Sequence, residues 1–177
     1  MIRFFFILVV VLVAGCNTQT KQEQPIDPTQ YKQPLIKANQ SLVETEQLDI
    51  ENYVKRHNWK MEETGSGLLY LIYENGNGRK VEAGKVIRYD YQTELLTGKV
   101  CYSSQQMGAN EFLVGRGGVE SGLEEAVLHF REGDKVKIIL PSHLAFGLLG
   151  DDDCIPKKAV VVYDLEVLNV LDPINRN

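Results

Sequence analysis

No apolar run in this sequence is long enough to cross a membrane. The one uninterrupted stretch, Phe4 to Gly15, is twelve residues, where a spanning helix needs about 20. Excess positive charge is also missing: 19 Lys and Arg stand against 24 Asp and Glu, a net −5. A phosphate backbone requires a cationic footprint, so nucleic acid is not an expected partner. Histidine is scarce, and His57, His129 and His143 fall at no metal-ligand spacing. No self-similar period marks a repeat array. Gly115-Arg116-Gly117-Gly118 resembles a phosphate loop only superficially: Glu120 stands where a dinucleotide fingerprint has glycine, and no Walker ending follows. Ser121 has no glycine two residues before it, so a nucleophile elbow is absent. Asp151-Asp152-Asp153 has the donor chemistry of a hard-cation loop, but a solvated turn is the plainer reading. Neither a metal nor a cofactor is expected. What is present, 44% hydrophobic and 24% charged residues over 177 positions, describes one folded domain with extensions.

Arg3 ahead of the short apolar run is the order of a secretory signal. The run ends in Val13-Ala14-Gly15-Cys16, which resembles a bacterial lipobox; a plain signal peptide is the alternative. The resemblance implies that residues 1–16 carry the signal and that Cys16 is lipidated and becomes the mature N-terminus. More than one acyl chain on Cys16 would make a stable membrane anchor. Asn17 in place of the Asp of inner-membrane retention signals, with no acidic cluster after it, points to an outer-membrane lipoprotein facing the periplasm. Residues 17–33 are polar and Gln-rich, with Pro25 and Pro28, and read as a flexible tether.

From Pro34 the pattern becomes helical. Ile36, Val43, Ile50 and Val54 share one face, with Leu35 and Leu42 alongside, and acids precede bases as the helix dipole favours. The spacing predicts a helix over 35–57 within an N-terminal segment 34–60. It packs on its own domain, pairs with a second copy as a homodimer, or spaces the domain from the membrane. After Trp59 the period changes. Leu69–Tyr73, Val86–Tyr91, Glu111–Val114, Lys135–Leu140 and Ala159–Val170 read as strands, with turns at Asn75–Gly78 and Thr97-Gly98. Leu123, Val127 and Leu128 mark a short helix within 119–128. The sum over 61–172 is an α+β domain, an antiparallel sheet with one short helix between strands.

Seven motifs then fall in order. Gly98-Lys99 with Ser103-Ser104 precedes Phe112-Leu113-Val114-Gly115, and Val119-x-x-Gly122-Leu123-Glu124-Glu125 leads to Gly133-Asp134-Lys135. Pro141-Ser142-His143-Leu144-Ala145-Phe146-Gly147 and Ile155-Pro156-x-x-Ala159 follow, and Val162-Tyr163-Asp164-Leu165-Glu166-Val167-Leu168 closes the series. In order and spacing, residues 83–170 resemble the FKBP-type peptidyl-prolyl isomerases. The N-terminal helix, the Trp59 junction and the lipobox together resemble the gliding-motility-associated isomerase lipoproteins of Bacteroidetes-type bacteria. The resemblance implies an antiparallel curved sheet wrapped around one short helix. It also implies proline-containing polypeptide clients and a role in envelope protein folding.

By that resemblance Tyr89 is a wall tyrosine, and Val119 with the N–H of Glu120 holds the ligand carbonyl. Leu123 replaces a floor tryptophan, Phe146 stands where a tyrosine hydroxyl usually donates, and Ile155 and Tyr163 are wall residues. Phe112 belongs to the same pocket, with Asn110 at a second aromatic site two residues before it. The family's aromatic-Asp pair is replaced by Cys101-Tyr102, which removes a wall ring and a carboxylate. Tyr102 restores an aromatic wall if it swings inward. The thinned pocket implies low catalytic efficiency, or a non-catalytic client-binding or scaffold module of an envelope machine. With Cys16 lipidated, Cys101 and Cys154 remain, and the family correspondence puts both at the pocket rim. Two readings stand: a disulfide that narrows the mouth, as an oxidising compartment favours, or two free small apolar side chains.

Overall fold

Alternating side chains build most of the sheet. The computed structural model describes residues 28–173, within which β1 (Glu62–Glu63), β2 (Leu69–Glu74) and β3 (Val86–Leu95) come first. They are followed by β4 (Val100–Ser103), β5 (Asn110–Leu113), β6 (Lys135–Leu140) and β7 (Val161–Leu171). The seven strands form one antiparallel sheet in the order β1-β2-β6-β7-β3-β4, with β5 also pairing β3. β3 is therefore the junction. Its first half, Val86–Tyr89, takes β5, and its second half, Gln92–Glu94, takes β4. Along its other edge β3 pairs with β7 over nearly its whole length, with an irregularity between Arg88 and Tyr89.

One face of the sheet covers a short helix, α3 (Ser121–Ala126), which tightens into a 3₁₀ turn at Val127–His129. Leu123, Ala126 and Val127 are buried with Ile87, Ile138, Leu140, Leu165 and Val167. Gly122 brings α3 close to β6: a Cβ there would stand 2.7 Å from Leu140 Cδ2 and 2.9 Å from Leu144 Cβ. Leu128, expected on the same helical face, is 41% exposed, because the 3₁₀ turn changes the residue spacing after Ala126.

The opposite face carries the C-terminal part of the helix α1 (Pro28–His57). The chain divides into units 1–38 and 39–177, and the part of α1 in the second unit packs against its own sheet. Ile50 and Tyr53 are buried with Ile139, Val160 and Val162, and Trp59, Met61 and Leu69 pack beside them. Both faces of β6 and β7 are covered, which explains four consecutive apolar or aromatic residues at 160–163. Two expectations are corrected. The helix begins at Pro28, itself suited to a first turn, so residues 28–33 are helical and Pro34 lies inside the helix. The face inferred from the heptad spacing is only partly buried, since Val43 is 59% exposed. Cys16 and the apolar run before it lie outside the described residues.

Candidate functional site

The side chains of Tyr89, Tyr91 and Thr93 alternate along β3 and so face one side of the sheet. They line a hollow of about 580 Å³. Tyr163 of β7 stands across the β3–β7 ladder from Thr93 and closes the same side. β4 contributes Tyr102, and the short helix α2 (Ser104–Met107) contributes Met107. Gly118, Val119 and Glu120, just before α3, form another edge. The loop after the 3₁₀ turn Ser142–Leu144 supplies Phe146 and Asp151, and Asn110 completes the lining.

The sheet side is dry and rigid. Tyr89, Thr93 and Tyr163 are 2%, 1% and 5% exposed, and Phe112 meets the Tyr89 ring edge-on at 5.9 Å. The Tyr163 hydroxyl donates to Glu120 Oε1 at 2.9 Å. Burial pushes the Tyr163 phenol well above its ordinary value, and the Glu120 charge adds to the effect. Burial also raises Tyr89, with Glu120 and Tyr91 adding and Asn110 partly offsetting them. These hydroxyls stay protonated and remain donors across the physiological range.

The rim is polar and tied together over long sequence distances. The Tyr102 hydroxyl donates to Asp151 Oδ2, while Asp151 Oδ1 accepts the N–H groups of Asp153 at 3.0 Å and Ile155 at 2.8 Å. Burial would raise the Asp151 carboxyl, but these donors hold it below its ordinary value. The hydrogen bond to Asp151, reinforced by partial burial, pushes Tyr102 up to about 12. Cys101 and Cys154 are joined by a disulfide with Cα atoms 5.5 Å apart, fastening β4 to the loop that carries Asp151. Gly150 begins that loop at φ +74°, and a Cβ there would lie 2.4 Å from the Ile155 carbonyl oxygen.

Tyr89, Tyr102, Val119, Glu120, Phe146 and Tyr163 converge on one concavity, with Tyr102 turned towards it. Phe112, Leu123 and Ile155 do not line it; they lie in the buried cluster that also holds Tyr89 and Tyr163. Cys101 is not a lining residue either, because its sulfur is engaged with Cys154. The bond leaves the hollow open beside it rather than sealed. A tyrosine hydroxyl and a carboxylate are both present at the rim, though neither stands where the family motif has it: Tyr102 supplies the hydroxyl and Asp151 the carboxylate.

Sequence reasoning missed Tyr91, Thr93, Met107, Gly118 and Asp151. The first two were available by stepping two residues at a time from Tyr89. Asp151 was not, since its partner Tyr102 is 49 residues away. The histidines are engaged elsewhere: His57 Nδ1 lies 2.9 Å from the Tyr53 carbonyl oxygen, and His129 stacks on Tyr70 at 4.8 Å.

Comparison with known proteins agrees with this geometry. The family model for FKBP-type peptidyl-prolyl cis-trans isomerase matches residues 77–168. Human peptidyl-prolyl cis-trans isomerase FKBP9 is 32% identical over 89 residues, covering 50% of this chain and 16% of that protein. A probable FKBP-type isomerase of Haemophilus influenzae is 31% identical over 108 residues, covering 60% and 44%. The chain thus spans less than half the length of these curated relatives. The crystal structure of AtFKBP13 superposes with a TM-score of 0.60 at 27% identity, covering 63% of this chain and 98% of that one. The motif order, the curved sheet around α3 and the family match lead to one conclusion: this chain belongs to the FKBP-type peptidyl-prolyl cis-trans isomerase family.

Proposed function

We propose that the hollow binds X-Pro segments of unfolded polypeptides and speeds their cis-trans interconversion with modest efficiency. The observation that carries this reading is the convergence of Tyr89, Val119, Phe146 and Tyr163 on one concavity. Rotation about an X-Pro bond is opposed by a barrier of about 18–20 kcal/mol, arising from amide resonance. Lowering that barrier requires neither a nucleophile nor a metal. It requires a site that binds the twisted amide better than either planar isomer. Aromatic and apolar walls strip water from the prolyl ring and its carbonyl, which weakens the resonance of the planar form. The Glu120 N–H, for which no hydrogen bond is found among the described residues, is placed to hold a client carbonyl. Phe146 offers a ring without a hydroxyl, so the site makes one hydrogen bond fewer than the family pattern.

A specific observation favours a second reading, client binding without turnover. Cys101 is bonded to Cys154 where the family has an aromatic wall, and Phe146 has no hydroxyl to donate. A protease-coupled assay on prolyl peptides separates the two readings. Acceleration that disappears on blocking the hollow supports catalysis; binding without acceleration supports the second reading.

The wider setting belongs to the same proposal. The Phe4–Gly15 run and Val13-Ala14-Gly15-Cys16 support a lipoprotein of the gliding-motility-associated type, held at the outer membrane and serving envelope proteins. Metabolic labelling with a radioactive fatty acid tests this. Label in the wild-type chain that is lost in Cys16→Ala supports the anchor, and equal labelling of both rejects it.

A further inference from the structure

A carboxylate beside an entering apolar ring loses water and gains no partner from that ring. This hollow nevertheless contains Glu120. One carboxylate oxygen, Oε1, accepts the Tyr163 hydroxyl at 2.9 Å; the other has no hydrogen bond among the described residues. Tyr102 and three further tyrosines, Tyr89, Tyr91 and Tyr163, share the hollow with it. The rings of Tyr89 and Tyr91 are 5.7 Å apart, and those of Tyr91 and Tyr163 are 6.4 Å apart. Glu120 lines the hollow with Tyr89, Tyr91 and Tyr163 and is bonded to the last of them, and its charge adds to the upward shift of all three phenols. The second carboxylate, Asp151, has both oxygens engaged, by Tyr102 and by two backbone N–H groups, and adds negative potential. No Lys, Arg or His lines the hollow.

A carboxylate with one oxygen free, set among tyrosine faces, is the chemistry that receives a cation. Ring faces attract ammonium and guanidinium groups through their quadrupole, and the carboxylate supplies the counter-charge. We infer that Glu120 makes this site selective for clients in which a lysine or arginine directly flanks the proline. The inference rests on the prolyl-binding reading above and adds to it the chemical class of the neighbouring residue.

The experiment uses fluorescent peptides of the forms Ala-Xaa-Pro-Phe and Ala-Leu-Pro-Xaa, where Xaa is Lys, Arg, norleucine or Glu. Binding is read by anisotropy and interconversion by exchange NMR, both on the oxidised full chain. Lys and Arg peptides of at least one form bind about three- to tenfold more tightly than the norleucine peptide, and the ratio shrinks as salt rises. Glu120→Gln keeps an acceptor for Tyr163, and in it the ratio falls close to one. Glu111→Gln, an exposed carboxylate outside the hollow, leaves the ratio in place and controls for the general negative charge of the chain. Norleucine peptides binding as tightly as Lys peptides in both forms, or a ratio that survives Glu120→Gln, overturns the inference. The salt dependence in the wild-type chain decides the matter if Glu120→Gln does not fold. Equal turnover of Lys and norleucine peptides would sink the selectivity and leave isomerisation standing. Cation-selective binding without turnover would do the reverse.

Discussion

The two sides of the hollow are built on different principles. The sheet side, Tyr89, Thr93 and Tyr163, is held by the β3–β7 ladder and almost wholly buried. The rim is held by two long-range ties, the Cys101–Cys154 disulfide and the Tyr102–Asp151 hydrogen bond, and by local backbone bonds into Asp151. Leu148 and Leu149 lie beside these ties, 67% and 74% exposed. A wall made of strands cannot move without unfolding the domain, whereas a rim made of discrete ties can be loosened one tie at a time. Shape is therefore set by the sheet, and access and affinity are set by the rim.

The strongest way to break this comparison is at the wall. Tyr89→Ala removes a buried ring from the core and is expected to cost about 3–5 kcal/mol, read by urea unfolding. Loss of under 1 kcal/mol would show that the wall is not part of the core. At the rim, Cys154→Ser or reduction is expected to cost about 2–4 kcal/mol, with the far-UV circular dichroism of the sheet retained. If the sheet signal collapses with the bond, the two sides are not separable in the way described.

A smaller effect sharpens the polar tie. Tyr102→Phe is expected to cost about 1 kcal/mol near neutral pH. The folded pKa of Asp151 lies below its ordinary value, so its contribution is present above the ordinary carboxylate range and fades as pH falls through the lowered folded value. Tyr102 is raised to about 12, so its contribution is complete below pH about 10 and is lost as pH rises through the folded value. Wild type and Tyr102→Phe should therefore converge at both extremes; a pH-independent difference would contradict the pairing. The smallest change is Phe146→Tyr, which returns a donor to the hollow and is expected to raise turnover by about fivefold at most, since a neutral hydrogen bond is worth about 1 kcal/mol. A fall in turnover would show that Phe146 packs rather than faces the client.

The sheet was largely legible in advance because β2, β3, β6 and β7 alternate or run apolar, and periodicity is a local signal. β4 and α2 were not, because Val100–Met107 shows neither period. β1 is two glutamates long and exists only through its pairing with β2. The helix start was misplaced because Pro34, a plausible first helical residue, lies inside a helix that another proline begins. Within the site, Tyr89, Val119, Phe146 and Tyr163 came from motif order. Leu123, Ile155 and Phe112 lie in the buried cluster with Tyr89 and Tyr163 and do not line the hollow; a motif gives position along the chain and not the depth of a side chain. Asp151 looked like part of a solvated acidic run, and only the approach of Tyr102 in space gives it a role.

The most direct measurement follows side-chain NMR signals while a prolyl peptide is titrated into the oxidised chain. Saturable shifts are expected for Tyr89, Val119, Phe146 and Tyr163, with one shared dissociation constant and loss of binding when the hollow is blocked by Val119→Trp. Shifts confined to other surfaces, or none at millimolar peptide, would contradict the claim that this hollow receives the proline.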